Sequence, residues 1–266
     1  MRTNRFFQSF IAAALIVPAL LPATYFGNPA LSRLESDGVV LPASKWASLR
    51  IGYMSDWNYR QRYNEEFHIA GTPNPSSYAK FTTNAATLTL NVKNWLDLNG
   101  IVGSSQMQID HDVYTKRQLV WGAGAKLIIF HTQSIYISLD YKYVSSLQKP
   151  IYLVSEGHAY NVVSSFKMET TEQQAALGIA YKIKMLSPYL CASYIYSKID
   201  PKPRSVFVRH PTYDVTAESI TSSVIGRRRW GMAFGATIVG GNKGSVTVES
   251  RFINQNALNV SGEIRF

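Results

Sequence analysis

The sequence predicts an all-β fold: a transmembrane antiparallel β-barrel of an outer membrane, with about 12–16 strands and 14 preferred. Three observations support this prediction. From residue 46 to the last residue, apolar and polar side chains alternate in pieces of about ten residues. Beyond the first two dozen residues, no apolar run approaches the roughly 20 residues of a spanning helix. The chain also begins with a segment that is typical of exported proteins.

Residues 1–23 have the features of a secretory signal peptide. Arg2 and Arg5 give a positive start, a short apolar core follows, and small residues offer cleavage sites after Ala19 or Ala23. A membrane anchor is disfavoured because the apolar core is too short. We therefore expect the mature chain outside the cytoplasm.

The segment 24–44 separates the signal peptide from the first alternating stretch. It contains Pro29 and Pro42 and shows no periodicity. We expect it to form an extended N-terminal segment in the periplasm, followed by a barrel that comprises residues 45–266.

The C-terminal stretch 256–266 shows the alternation most clearly, and it ends on an aromatic residue. One side is apolar and is assigned to lipid, whereas the other is polar and is assigned to a water-filled lumen. The lipid side holds Leu258, Val260, Ile264 and Phe266, and the lumen side holds Glu263 and Arg265.

Similar alternation predicts the remaining strands. The strands expected before the last one are 46–60, 81–92, 95–108, 118–130, 134–144, 171–184, 189–199, 218–227, 230–240 and 244–253. Three short segments have weaker patterns, namely 151–155, 161–167 and 205–209.

Counting turns back from the C-terminus assigns them to the two sides of the membrane, because an even number of strands leaves both barrel ends in the periplasm. The short turns 92–95, 131–133, 185–188 and 240–243 then lie in the periplasm. The long segments 61–79, 109–117 and 200–215 lie outside, as does the cluster Arg227-Arg228-Arg229. Short inner turns and long outer loops are typical of such barrels.

Charged side chains on the polar faces are the candidates for lining a pore. They are Arg50, Asp56, Arg60, Asp97, Lys126, Asp140, Lys142, Lys182, Lys184, Glu249, Arg251, Glu263 and Arg265. Positive charges outnumber negative ones in this set, so a weak anion preference is a hypothesis. The alternative is that many of these residues pair across strands, for example Glu249 with Arg251 or Glu263 with Arg265.

Composition limits the partners and cofactors. The net charge is +10, but lysines and arginines are dispersed, which disfavours nucleic acid and favours anionic lipid headgroups. The arginine cluster 227–229 is a candidate for binding lipopolysaccharide phosphates, although a solvated turn explains it equally well. The single cysteine, Cys191, excludes an intrachain disulfide and a cysteine-based metal site, and we expect no cofactor.

An enzyme embedded in a barrel is the rival functional class. Such enzymes place acidic residues and histidine at the outer rim, and Asp110-His111-Asp112 is the one motif of this kind. No matching serine or second acidic pair can be placed beside it, so we expect no enzymatic activity.

The C-terminal block 233–266 resembles the carboxyl end of the chlamydial major outer membrane porins. The shared pattern is a strand with Thr237-Ile238-Val239, a polar turn, the stretch 246–251 and a terminal Arg265-Phe266. Further similar segments follow the family's order: 27–30 after the signal peptide, 51–53 with Asp56, 81–86, and 177–188.

The resemblance identifies the chain as similar to a shorter, cysteine-poor member of that family, with trimmed surface loops. It implies a porin for small solutes and ions that is also a surface-exposed structural protein of the envelope. It further implies a homotrimer and a terminal Phe266 that the outer-membrane assembly machinery reads. The alternative from the residues is a structural barrel or adhesin whose lumen is plugged by an inward-folded loop.

Overall fold

The computed structural model describes residues 25–34, 46–63, 78–109, 113–155, 158–162, 166–202, 205–209, 216–219, 223–241 and 243–266. The predicted signal peptide 1–23 and the motif Asp110-His111-Asp112 lie outside the described residues. In the described part of the chain, no helix is long and apolar enough to cross a membrane.

The described residues form fifteen strands and one short helix. The helix is α1 (Leu31–Leu34). The strands are β1 (Ala47–Arg62), β2 (Tyr78–Val92), β3 (Leu96–Ile109), β4 (Val113–Lys116), β5 (Gln118–His131), β6 (Ile135–Ser155), β7 (His158–Val162), β8 (Lys167–Tyr181), β9 (Leu186–Lys202), β10 (Ser205–Arg209), β11 (Thr216–Ser219), β12 (Val224–Ile225), β13 (Trp230–Gly240), β14 (Gly244–Phe252) and β15 (Gln255–Arg265).

Ten of these strands close into an antiparallel ring, which confirms the predicted β-barrel. The order around the ring is β1, β2, β3, β5, β6, β8, β9, β13, β14 and β15, and β15 pairs back with β1. In the closing pair Ile51 lies opposite Ile264, and the Phe266 N–H donates to the Leu49 carbonyl at 2.8 Å. Closure leaves none of these ten strands with a free edge.

The short connections after β2, β5, β8 and β13 lie at one end of the ring, here called the inner end, whereas the two-residue connection 253–254 lies at the opposite end. At the inner end, Lys93 and Asn94 both have positive φ, as a two-residue hairpin turn requires. The first residue of β1 and the last residue of β15 lie at the same end, as the even strand number demands. The opposite, outer end carries the five short strands β4, β7, β10, β11 and β12.

The ring of ten strands is smaller than the predicted 12–16, with 14 preferred, because some predicted strands do not run across the ring. The segment 151–155 is the outer part of the 21-residue β6. The segment 161–167 divides between the end of β7 and the start of β8, while 218–227 yields only short β11 and β12. Alternation identifies extended backbone but does not say whether that backbone lies within or above the membrane.

The outside of the ring is apolar along the middle and aromatic at both ends, as in a barrel that spans a bilayer. Exposed residues of the middle band include Ile51, Leu88, Leu98, Leu139, Leu177, Ile179, Leu190 and Val248. Exposed aromatic residues near the inner end are Trp46, Trp95, Phe130 and Tyr181, and near the outer end Tyr59, Trp121 and Trp230. A soluble protein rarely exposes such a continuous apolar surface to water.

The position of the N-terminal segment also differs from the prediction. Residues 25–34, expected in the periplasm, are inside the barrel, and all but one of them are fully buried. A ring of ten strands is only slightly wider than the eight-stranded barrels that side chains alone fill. The lumen therefore has room for a short peptide segment. We call residues 25–34 the plug.

Candidate functional site in the barrel lumen

Among the residues that the structure describes, the lumen wall contains three groups of buried ion pairs. In the first, Arg50 on β1 lies between two carboxylates: its Nη2 is 2.6 Å from Asp97 Oδ2, and its Nε is 3.2 Å from Glu263 Oε2. These three residues come from β1, β3 and β15; β15 lies next to β1 in the ring, and β2 separates β1 from β3. Asn91 supports the group, because its Nδ2 donates to Asp97 Oδ1 at 2.7 Å.

The second group joins β1 and β14. Arg251 is hydrogen-bonded to Asp56, and its Nε lies 3.7 Å from Glu249 Oε1. All three side chains are almost completely buried. An unpaired charge in such a position is strongly unfavourable, so the pair stabilises the barrel mainly by avoiding that cost.

The third group lies on β5 and β6. Asp140 Oδ2 is 3.4 Å from Lys126 Nζ and 3.8 Å from Lys142 Nζ. Two adjacent buried ammonium groups are unfavourable, because each loses its hydration and they repel each other. The carboxylate of Asp140, which lies between them, offsets this cost. Both ammonium groups then point further inward, to the plug.

Ten of the predicted pore-lining residues are buried in the lumen. They are Arg50, Asp56, Asp97, Lys126, Asp140, Lys142, Glu249, Arg251, Glu263 and Arg265. Glu249 lies near Arg251 as suggested from the sequence, whereas Glu263 pairs with Arg50. Closure of the ring thus brings together lumen-facing side chains that are up to about two hundred residues apart in the chain.

Three predicted residues do not face the lumen. The register of β1 shifts between Asn58 and Arg60, and this bulge turns Arg60 outward, over the Tyr78 ring at 3.9 Å. Lys182 and Lys184 follow the end of β8 and belong to the inner turn, where Lys184 has a φ of 52°. The sequence continues its alternation into this turn, although the strand has ended.

The backbone of the plug binds charged groups of the wall. The N–H of Phe26 donates a hydrogen bond to Glu249 Oε1 at 3.0 Å, and the N–H of Gly27 donates one to Glu249 Oε2 at 3.0 Å. Lys126 donates to the Phe26 carbonyl at 2.7 Å and to the Asn28 carbonyl at 3.3 Å. Lys142 donates to the carbonyls of Tyr25 and Phe26. The wall therefore satisfies backbone groups that would otherwise be buried without partners.

Side chains of the plug add further contacts. The Tyr25 hydroxyl donates to Glu263 Oε1 at 2.7 Å, and burial raises the pKa of this phenol well above its ordinary value, so the proton stays in place. Asn28 Nδ2 donates to the Ser187 carbonyl at 2.9 Å, and Ser32 Oγ donates to Asp97 Oδ2 at 2.9 Å.

The other face of the plug is apolar. Phe26, Ala30 and Leu34 join a buried cluster with wall residues of β6, β8, β9 and β13. Gly27 has a φ of 71°, a conformation that a residue with a side chain rarely adopts. The plug is therefore held by charge on one side and by packing on the other.

An apolar cluster of buried side chains lies in the outer half of the lumen. The cluster contains Tyr63, Ala79, Phe81, Met107, Ile109, Val113, Phe166, Met168, Ile199 and Val224. A cavity of about 40 Å³ lies beside Tyr63 and Phe81, and one of about 30 Å³ lies between Arg50 and the plug. Each has room for a few water molecules.

The plug was not predicted as part of the site, because its sequence has no periodicity to assign it to a wall. The signal that existed was the combination Gly27-Asn28-Pro29-Ala30, a compact turn sequence that also carries the family resemblance. Among the described residues, no cluster of histidine, cysteine and carboxylate side chains could hold a metal ion.

The arginine cluster lies on the outer rim, as expected from the turn count. Arg227, Arg228 and Arg229 are exposed. Arg229 Nη1 donates to the Tyr194 hydroxyl at 3.0 Å, and the Arg227 N–H donates to the Arg62 carbonyl at 2.8 Å. These contacts fix the segment between β12 and β13 against the rim.

Comparison with known proteins gives weak but full-length similarity to porins. No family model matches the chain. The major outer membrane porins of Chlamydia trachomatis serovars E and B are each 22% identical, and each alignment covers 96% of this chain and 98% of the relative. The alignments span 384 and 385 positions, far more than the 266 residues of this chain, so the relatives contain extra segments.

Solved structures with some likeness are outer-membrane barrels. The translocator domain of the autotransporter NalP from Neisseria meningitidis is 7% identical with a TM-score of 0.47, covering 99% of this chain and 96% of that one. The outer membrane protease OmpT from Escherichia coli is 8% identical with a TM-score of 0.39, covering 83% and 95%.

Proposed function

We propose that this protein is an outer-membrane porin for small solutes and ions, and a shorter, cysteine-poor relative of the chlamydial major outer membrane porins. The observation that carries the proposal is a closed barrel with ten buried charged side chains in its lumen and an apolar band around the middle of its exterior. This arrangement suits a hydrated passage through a bilayer. The full-length similarity to porins supports the same function. A channel of this kind requires neither catalysis nor a cofactor.

The structure corresponds to the closed state of such a channel. The plug occupies the inner half of the lumen, and the apolar cluster lies in the outer half. Conduction therefore requires that the plug leave its position and that side chains of the apolar cluster move apart. The contacts that hold the plug are hydrogen bonds to Glu249, Lys126 and Lys142, which water can replace once the plug moves.

Planar-bilayer recording of the full chain tests this function. The wild-type protein should give infrequent current steps. Phe26→Asp should give frequent ones, because it buries a carboxylate in an apolar cluster near Glu249 and so destabilises the docked plug. Native-like heat-modifiable migration on gels would show that the variant still forms the barrel. Absence of current steps from both correctly folded proteins would refute the channel.

The filled lumen favours one alternative, a plugged structural barrel or adhesin without channel activity. Its distinguishing prediction is that loosening the plug changes stability but produces no conductance. The bilayer experiment therefore separates the two functions directly.

The structure removes the excess of positive charge on which the expected anion preference was based. With Arg60, Lys182 and Lys184 outside the lumen, the predicted residues that remain there comprise five cations and five carboxylates. The cations are Arg50, Lys126, Lys142, Arg251 and Arg265, and the carboxylates are Asp56, Asp97, Asp140, Glu249 and Glu263. We therefore propose a weakly selective channel.

A further inference from the structure

The barrel wall recognises the plug mainly through its peptide backbone. Glu249 accepts two consecutive backbone N–H groups, those of Phe26 and Gly27. On the same stretch of chain, Lys126 and Lys142 donate to backbone carbonyls of Tyr25, Phe26 and Asn28. A carboxylate for N–H donors and two ammonium groups for carbonyls supply partners for both kinds of backbone group of a peptide.

Side-chain pockets flank these backbone contacts. Phe26 is 1% exposed and belongs to a cluster with small and large wall residues, among them Ala176, Tyr189, Cys191 and Ala233. The wall therefore encloses a space that a large apolar side chain fills. Such a pocket adds affinity for peptides with an aromatic residue at this position.

The wall groups have partners of their own that do not belong to the plug. Glu249 accepts a hydrogen bond from the Tyr189 hydroxyl at 2.8 Å and lies beside Arg251. Asp140 lies between Lys126 and Lys142 and is 6% exposed, yet among the described residues neither of its oxygens accepts a hydrogen bond. The site thus remains organised, and keeps unused hydrogen-bonding capacity, when the plug leaves.

We propose that this part of the lumen is a binding site for short peptides, which the chain's own residues 25–28 occupy in the closed state. The inference rests on the proposed channel function, because peptides must enter the lumen to reach the site. It makes short peptides a preferred class of solute. An incoming peptide and the plug then compete for Glu249, Lys126 and Lys142.

Equilibrium binding of a fluorescent acetyl-Tyr-Phe-Gly-Asn-amide peptide to the reconstituted full chain tests the site. Two variants with a weakened plug, Gly178→Leu and Phe26→Asp, should bind the peptide about tenfold more tightly than wild type, because the competing plug is weakened. The matched control peptide has the same side chains with N-methyl groups on the Phe and Gly nitrogens, so it cannot donate to Glu249. It should bind about tenfold more weakly, the effect of losing a charge-assisted hydrogen bond.

Lys142→Met in the Gly178→Leu background should reduce peptide affinity by a similar factor. Equal binding of the methylated and unmethylated peptides, or no saturable binding by both folded variants, would overturn the inference. Current steps in bilayers without peptide binding would refute the site and leave the channel intact. Peptide binding without any current would refute the channel instead.

Discussion

Pro29 of the plug lies in the space where a side chain at Gly178 would be. A Cβ at residue 178 would be 2.7 Å from Pro29 Cγ and 2.9 Å from Cys191 Sγ, distances that real Cβ atoms do not adopt. Pro29 belongs to a rigid turn, and Cys191 is buried in the wall. The docked position of the plug therefore requires a residue without a side chain, glycine, at position 178.

Gly178→Leu should shift the channel toward its open state. Overpacking of this kind costs roughly 1–3 kcal/mol, and a difference of about 1.4 kcal/mol changes an equilibrium tenfold. We expect the open probability in bilayers to rise about tenfold. The matched control is Gly100→Leu, because a Cβ at Gly100 has its nearest neighbour at 4.0 Å. A similar rise in the control would attribute the effect to general loosening of the barrel.

The buried pair of Asp56 and Arg251 should contribute to barrel stability. Asp56→Asn removes the charge that faces Arg251, while Glu249 remains as a more distant partner. We expect the free energy of unfolding to fall by about 2 kcal/mol, as measured by urea titration in lipid vesicles. The control is Asp200→Asn, whose partner Lys198 lies 3.3 Å away in a half-exposed pair, and which should change stability by less than about 0.5 kcal/mol. Equal losses would contradict the role of burial.

The alternation of side chains was sufficient to predict the barrel and most of its lumen. Neighbouring residues on a strand face opposite sides, so the polar face of each strand could be assigned without knowing its partners. The assignment failed where this geometry is interrupted. A bulge after Asn58 reverses the facing of Arg60, and a turn after Tyr181 removes Lys182 from the wall.

The strand number and the plug could not be obtained from the same pattern. Strands that rise above the membrane alternate like those within it, so β10, β11 and β12 resemble wall strands in sequence. Residues 25–34 lack a period, and their position follows from long-range contacts with Glu249, Lys126 and Lys142. Such contacts depend on ring closure, which no local pattern records.

Ion selectivity should be weak and should respond to single wall charges. In the plug-weakened Gly178→Leu background, Lys142→Gln should shift the reversal potential in a salt gradient toward cation preference. Asp140→Asn in the same background should shift it in the opposite direction, since each change removes one charge from the balanced lumen. Shifts of the same sign, or a strong anion preference before either change, would contradict the proposed charge balance.

The arginine cluster at the outer rim should bind lipopolysaccharide. Its three arginines are exposed, Arg229 contacts Tyr194 at the outer aromatic belt, and guanidinium groups pair well with phosphates. Replacing Arg227, Arg228 and Arg229 by serine should lower the lipopolysaccharide that copurifies with the protein by at least about tenfold, because three lost charges at about 1 kcal/mol each weaken binding to an anionic surface on the order of a hundredfold. Replacing Lys182 and Lys184 at the inner end is the control and should change nothing. Unchanged retention in the arginine variant would reject the lipid role.

Phe266 should matter more for assembly than for conductance. Its N–H closes the ring by donating to the Leu49 carbonyl, whereas its side chain is only partly buried at the inner end. We compare deletion of Phe266 with Phe266→Ala, which keeps the backbone hydrogen bond but removes the aromatic ring. If the assembly machinery reads the ring, both variants should insert into the outer membrane several-fold less well, while inserted molecules conduct normally. Normal insertion of Phe266→Ala beside defective insertion of the deletion variant would assign the role to the closing hydrogen bond. Normal insertion of both variants would contradict any part for Phe266 in assembly.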